Sequence, residues 1–147
     1  FDVLSEVTSV WGSDRVGLRL SPLNSYNSMR DSDPVGLTRF LARELNAFNL
    51  AYLHIMRSDF YGLQKGPVTE AARQEFKNAL LGNMGYTPAE AASAIAENKV
   101  DAVAFGHHYI SNPNLVQKVR EGRALVEPDQ TTFYTPGPQG YIDYPSN

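Results

Sequence analysis

The stretch VDAVAFGHHYISNPNLV, residues 100–116, concentrates side chains that could do chemistry. An apolar run ends at Gly106, His107 and His108 follow, and Asn112-Pro113 comes shortly after. Three roles are open for the histidines: a phosphate site with the glycine, a metal site, or a structural role at a helix entry. Adjacent residues at the end of a strand point to opposite sides of the sheet, which argues against His107 and His108 binding the same metal ion. We favour phosphate contact for His107 and a structural role for His108.

A second glycine-bearing segment, Gly82-Asn83-Met84-Gly85-Tyr86, also follows an apolar run. Thr87-Pro88-Ala89-Glu90 then has the pattern of a capping box with proline at the first helical position. Backbone N–H groups near the start of a helix attract anions, and glycine lets a ligand approach the backbone. The two segments therefore predict two parts of an anion site.

Arg19 lies inside the apolar stretch VGLRLSP. A buried cation is costly without a partner. An internal ion pair would satisfy it, and the alternative is a guanidinium offered to an electron-rich ring edge or carbonyl. His54, in AYLHI, is expected to be a packed strand histidine.

The hydrophobic pattern predicts an initial helix and then four strand–loop–helix repeats. Apolar strands that alternate with helices indicate a parallel sheet with right-handed crossovers. Four such units are half of a (β/α)8 barrel, although a small doubly wound sheet fits the pattern too. The predicted helices are 2–11, 34–48, about 69–77, 88–98 and 113–121, with strands within 15–21 and at 50–55, 79–83 and 100–105. Asp33-Pro34 has the form of an N-cap followed by proline at the first helical position of the helix at 34–48. The tail from about 124 is expected to be irregular.

Composition narrows the function classes. The 147 residues suit a single domain, and a net charge of -3 argues against nucleic acid as the main partner. No apolar run approaches the roughly 18 residues that a membrane span needs. The absence of cysteine fits a reducing compartment, so we expect a cytoplasmic location. The chain starts at Phe1 without methionine, which suggests a piece of a longer protein.

Five segments resemble one family in their order along the chain. They are VGLRLSP, AYLH, NMGYTPAEAASAIAENKVDAVAFG, YISNPNLV and TFYTPGPQGYIDYP. Together they resemble the C-terminal half of the old yellow enzymes, which are FMN-dependent, NAD(P)H-consuming ene-reductases on a (β/α)8 barrel. The resemblance implies that residues 1–147 form a single half-barrel FMN-binding domain that corresponds to strands five to eight.

The resemblance also implies roles for individual residues. Arg19 matches the arginine at the flavin pyrimidine edge, where its charge would stabilise the anionic reduced flavin. Met84 and Gly85 match the phosphate-binding backbone after strand seven, and Gly106 with His107 matches a Gly-Arg pair after strand eight. The aromatic pair at the flavin and substrate pocket is matched by Phe133 and Tyr134.

Two departures from the family accompany these matches: the family usually has arginine in place of His107 and often glycine in place of Met84. The family's substrate-anchoring histidine pair (or His/Asn pair) and its proton-donating tyrosine belong to the first half, so no catalytic residue and no metal site is expected here. We expect FMN, NAD(P)H and a small enone substrate, with a complementary N-terminal half-barrel or a second copy closing the barrel. The alternatives are a self-associating half-barrel with weak or no flavin binding and no catalysis, and a structural remnant.

Overall fold

A computed structural model describes residues 1–146 of the chain. Its four strands form one parallel sheet in the order β1-β2-β3-β4. The strands are β1 (Gly17–Leu20), β2 (Tyr52–Met56), β3 (Ala79–Asn83) and β4 (Ala102–Ala104). The prediction of an α/β chain with a parallel sheet is therefore confirmed. The chain divides into two compact units, the first from Phe1 to Ala104 and the second from Phe105 onward.

The helices of the first unit follow the predicted order. They are α1 (Asp2–Trp11), α2 (Pro34–Glu44), α3 (Val68–Glu75) and α4 (Pro88–Ala96), and a 3-10 turn at Leu45–Phe48 extends α2. The start signals read from the sequence are confirmed at two of them. Asp33 accepts a hydrogen bond from the Gly36 N–H at the start of α2. At α4, Thr87 and Glu90 form the complete capping box.

The two faces of the sheet differ in burial. Alternate strand residues point to opposite faces, so one face carries Leu53, Ile55 and Leu80, which are all fully buried. We call this the helix-facing face, because α3 packs on β2 and β3 and α4 on β4. The other face, which we call the open face, carries Arg19, Tyr52, His54, Met56, Leu81 and Asn83, and most of these side chains remain partly accessible.

The core of the first unit lies between the helix-facing face and the helices. Its apolar side chains come from the strands, from α2, α3 and α4, and from the connections between them. The buried members are Ala42, Leu45, Leu50, Leu53, Ile55, Val68, Ala71, Ala72, Phe76, Leu80, Ala91, Ala94 and Val100. Burial of this set holds the strands in register, and the register fixes which side chains reach the open face.

Strands β1 and β4 are the two edges of the sheet. Helix α1 buries none of its side chains, and Val3 and Trp11 are largely exposed. Within residues 1–146, no helix combines the length and apolar character needed to cross a membrane.

The second unit corrects the prediction around the histidines. His107 and His108 are not on a strand end; they begin a short helix, α5 (His107–Ser111), and a second helix, α6, covers Leu115–Arg120. Asn112 therefore ends α5, and the helix predicted at 113–121 is present as α6 but begins two residues later, at Leu115. Its buried side chain bonds the carbonyl of His108, both backbone polar groups of Val126 and the Lys118 ammonium. These four contacts make Asn112 the centre of the unit.

Candidate functional site

Arg19 lies on the open face of β1, opposite His54 of β2. Its Nη2 atom is 3.3 Å from Asn83 Oδ1 and 3.7 Å from the Met56 sulfur. Within residues 1–146 Arg19 forms no salt bridge. An internal ion pair, one of the two interpretations of this residue, is therefore absent from the described chain. The guanidinium keeps donor capacity for a group outside it.

His54 is half-buried beside Arg19. Its Nε2 atom is buried and has no hydrogen-bond partner within the described residues. Burial, and secondarily the positive charge of Arg19, lower the pKa of His54. The imidazole is therefore neutral at pH 7, so His54 adds no positive charge to that of Arg19 on the open face.

The turn that follows β3 has an unusual backbone. Met84 and Gly85 both have positive φ, 80° and 69°. This conformation suits glycine but strains an L-residue such as methionine. Within residues 1–146 the backbone N–H groups of Met84, Gly85 and Tyr86 donate no hydrogen bond. Three consecutive free donors next to the start of α4 are a suitable environment for an anion.

Arg57, just after β2, lies against the same turn. Its Nε donates to the Met84 carbonyl at 2.9 Å and its Nη2 to the Gly85 carbonyl at 2.6 Å. Nη2 also lies 3.3 Å from Glu90 Oε2, and the guanidinium carbon is 3.6 Å from the centre of the Tyr86 ring. The hydrogen bond from the Thr87 N–H is the largest cause that lowers the pKa of Glu90, and Arg57 contributes to it. Arg57 thus joins the turn to the capping box of α4.

Asp59 organises the loops after β1 and β2. Its Oδ1 accepts hydrogen bonds from the N–H and hydroxyl of Ser25, each at 2.8 Å, and its Oδ2 from the N–H groups of Leu63 and Gln64. Burial alone would raise the pKa of Asp59, but these hydrogen bonds outweigh it and hold the pKa well below its usual range. The carboxylate therefore stays ionised as the centre of a loop cluster.

Gly106 and His107 belong to the second unit. Gly106 precedes α5 with a φ of -107°, and an added Cβ there would meet no atom of residues 1–146 within 4 Å. Neither backbone geometry nor packing in the described chain therefore requires glycine. The His107 imidazole lies 3.8 Å from a Glu127 carboxylate oxygen through Nε2 and packs edge-on against Phe133, with ring centres 5.6 Å apart.

Phe133 and Tyr134 are adjacent in the tail, with ring centres 6.4 Å apart. Phe133 is half-buried, whereas Tyr134 is 98% exposed and so does not contribute to packing. Among the described residues, no group of three or more His, Asp or Glu side chains is arranged to hold a metal ion.

The predicted site residues therefore fall into two groups. The first unit holds Arg19 together with Met84 and Gly85, and the second brings His107 next to Phe133. The sequence did not reveal the roles of Arg57 and Asp59. Both lie within four residues of the end of the predicted strand 50–55, and binding sites often form at the ends of parallel strands. That position was the available signal.

The chain matches the model of the NADH:flavin oxidoreductase / NADH oxidase family over residues 1–126. It belongs to this family. A probable flavin mononucleotide-dependent alkene reductase from Leishmania infantum is 43% identical over 99% of the chain. The structure of the old yellow enzyme from Trypanosoma cruzi superposes with a TM-score of 0.96 at 43% identity, again over 99% of the chain. Morphinone reductase in complex with tetrahydroNAD gives 0.88 at 38% identity over 98% of the chain. The resemblance to the old yellow enzymes is confirmed.

The chain spans less than half the length of these relatives. It covers 40% of the Leishmania protein, 38% of the Trypanosoma chain and 39% of morphinone reductase. The match thus extends over nearly all of this chain and a minor part of each relative.

Proposed function

We propose that this chain supplies the FMN-binding portion of an NAD(P)H-dependent alkene reductase. One observation carries the proposal: the open face and its adjoining turn offer hydrogen-bond donors that bind no carboxylate within residues 1–146. The donors are the Arg19 guanidinium and the N–H groups of Met84, Gly85 and Tyr86. A flavin ring with carbonyl groups and a phosphate monoester requires this donor set, so the residues fit FMN.

The individual roles follow from the chemistry of each group. Arg19 would donate to the pyrimidine edge and place a positive charge beside it, which favours the anionic reduced flavin. Met84 and Gly85 would hold the phosphate through backbone N–H groups. When bound, FMN supplies the two-electron chemistry that moves a hydride from NAD(P)H to an activated alkene. In the second unit, Gly106 and His107 keep their proposed role in phosphate binding, and Phe133 with Tyr134 keep theirs in the substrate pocket.

No residue of this chain is proposed as the proton donor or as the anchor of the enone oxygen. Both tasks need a group aimed at the reacting atoms, and by resemblance those groups lie in the other half of a barrel. We therefore propose that the four strands are half of a (β/α)8 barrel. The edges β1 and β4 and the uncovered α1 are where a complementary half, or a second copy of the chain, would complete the sheet.

The proposal is tested by flavin absorbance and by NADPH consumption with 2-cyclohexenone. The 147-residue chain should bind added FMN yet show no enone-dependent NADPH consumption, because the anchor and the proton donor are absent. Addition of the N-terminal part of the Leishmania infantum relative should produce a yellow complex that reduces the enone. Light scattering on the same samples gives the mass of each assembly.

Three outcomes would contradict the proposal. Robust enone reduction by the chain alone would show a complete active site within these residues. Absence of flavin from every mixture would refute the FMN role. A stable, well-folded monomer at micromolar concentration would refute completion of the sheet by a partner.

A further inference from the structure

Arg57 makes an unbroken series of contacts with the turn after β3. Its backbone N–H donates to the Asn83 carbonyl at 3.1 Å. Its side chain donates hydrogen bonds to the next two carbonyl groups, those of Met84 and Gly85. Three consecutive carbonyls of the turn are therefore bonded to one residue.

Because the peptide bond is planar, these contacts with the carbonyl groups also determine where the neighbouring N–H groups point. In a trans peptide the C=O of one residue and the N–H of the next point in opposite directions. By holding the carbonyls of Asn83, Met84 and Gly85, Arg57 directs the N–H groups of Met84, Gly85 and Tyr86 away from itself. These are the three N–H groups that have no acceptor within residues 1–146.

We propose that Arg57 is a positioning residue that aims three consecutive backbone N–H groups at the phosphate of a flavin mononucleotide. The inference rests on the proposed function and deepens it, because it assigns the geometry of the phosphate donors to a side chain on a different strand. Arg57 itself need contact neither the phosphate nor the flavin ring. It acts through the carbonyls on the opposite side of the turn.

The shape of the guanidinium suits this task. It is planar and has donors in fixed directions, so it can bond two carbonyls and a carboxylate while it stacks on a ring. Glu90 and the Tyr86 ring hold the plane in place from two further directions. A lysine would keep the positive charge but has a single ammonium group and no plane to stack. Replacing Arg57 with lysine therefore separates the effect of the positive charge from the effect of positioning the turn.

Arg73 provides a matched control. It bonds Asp101 at 2.7 Å and the carbonyls of Phe76 and Asn78 at 2.9 and 3.2 Å. Its side chain is 26% exposed, against 30% for Arg57. Arg73 thus makes the same kinds of contacts, but with the segment before β3. Replacing Arg73 should remove a similar set of contacts but leave the proposed phosphate donors unchanged.

The experiment compares the affinities of the chain for FMN and for riboflavin, which lacks the phosphate, by fluorescence titration. Arg57→Gln and Arg57→Lys should both weaken FMN binding about tenfold, the loss expected for roughly one charge-assisted hydrogen bond, and leave riboflavin binding unchanged. Arg73→Gln should leave the ratio of the two affinities unchanged. Amide NMR spectra of the same variants should show altered signals for Met84, Gly85 and Tyr86 only where Arg57 is replaced.

Two binding results would overturn the inference. If Arg57→Lys binds FMN as the unmodified chain does, positive charge suffices and positioning is refuted. If Arg57→Gln weakens both flavins equally, the role is structural. If the unmodified chain binds neither flavin, alone or with the N-terminal part of the Leishmania infantum relative, the proposed function fails, and the NMR spectra then decide whether Arg57 positions the turn. Unchanged signals at 84–86 in Arg57→Gln would refute the positioning role, and signals changed there but not in Arg73→Gln would support positioning of these N–H groups by Arg57.

Discussion

The two faces of the sheet carry the same strands but different kinds of side chain. On the helix-facing face, Leu53, Ile55 and Leu80 are fully buried and apolar. The open face of the same sheet carries Arg19, His54 and Asn83, which are polar and only partly covered. Adjacent residues of one strand thus have different roles, because the pleat of the strand directs their side chains to opposite faces of the sheet.

This difference shows where stability and chemistry reside in the first unit. The helix-facing face removes apolar area from water and drives folding. The open face contributes less to folding. It retains a cation without a carboxylate partner among residues 1–146, a neutral, half-buried histidine and, at the end of β3, a turn in a strained conformation. Features that cost stability and persist are often signs of a functional site.

The sharpest test of the comparison uses two adjacent leucines of β3. Leu80 is fully buried on the helix-facing face, whereas Leu81 is half-buried on the open face. We expect Leu80→Ala to reduce the free energy of unfolding by about 2–5 kcal/mol, because it leaves a cavity. Leu81→Ala should cost about 1 kcal/mol, because its methyl groups are already partly in water. Urea unfolding followed by circular dichroism measures both, and equal losses would contradict the division between the faces.

A smaller effect is expected at the turn that ends β3. Met84 has a φ of 80°, so its Cβ strains the backbone. Comparing Met84→Gly with Met84→Ala isolates that strain, since both remove the side chain beyond Cβ and only glycine relieves the conformation. We expect the glycine variant to be the more stable by about 1 kcal/mol in urea unfolding. An alanine variant as stable as the glycine variant would show that the turn is not strained.

The helices and the parallel sheet of the first unit could be predicted from the sequence, because the signals for these elements lie between residues close together along the chain. The capping box at Thr87 and Glu90 and the cap at Asp33 are side-chain contacts over three residues, and the structure has both. The parallel sheet followed from apolar strands that alternate with amphipathic helices.

The second unit and the Arg57 contacts were harder to predict because they depend on distant partners. Asn112-Pro113 has the form of a helix start, yet the Asn112 side chain bonds Val126 and Lys118 and so closes α5. Likewise, Arg57 reaches a turn 27 residues further along the chain at Met84. Such contacts form only after the strands are in register, and neither spacing nor composition encodes them.

The last and smallest effect concerns the pH dependence of stability on the open face. Burial, and secondarily Arg19, lower the pKa of His54 in the folded chain below the ordinary value of 6.5. The unfolded chain then binds a proton at His54 more readily than the folded chain does. The free energy of unfolding should therefore fall as pH decreases below 6.5 towards the lowered pKa, and be insensitive to His54 above that window.

Two substitutions separate the causes of this pH dependence. His54→Leu should abolish the contribution and flatten the melting temperature between pH 7.5 and 5.5, because no group titrates at that position. Arg19→Gln removes only the second cause, so the decline should become shallower without disappearing. Its stability at pH 7.5 should change by no more than about 0.5 kcal/mol, since Arg19 is exposed and has no ion-pair partner within residues 1–146. A His54→Leu variant with the same pH profile as the unmodified chain would show that the open face does not titrate in this way, and a large loss in Arg19→Gln would show that Arg19 serves folding and not the flavin.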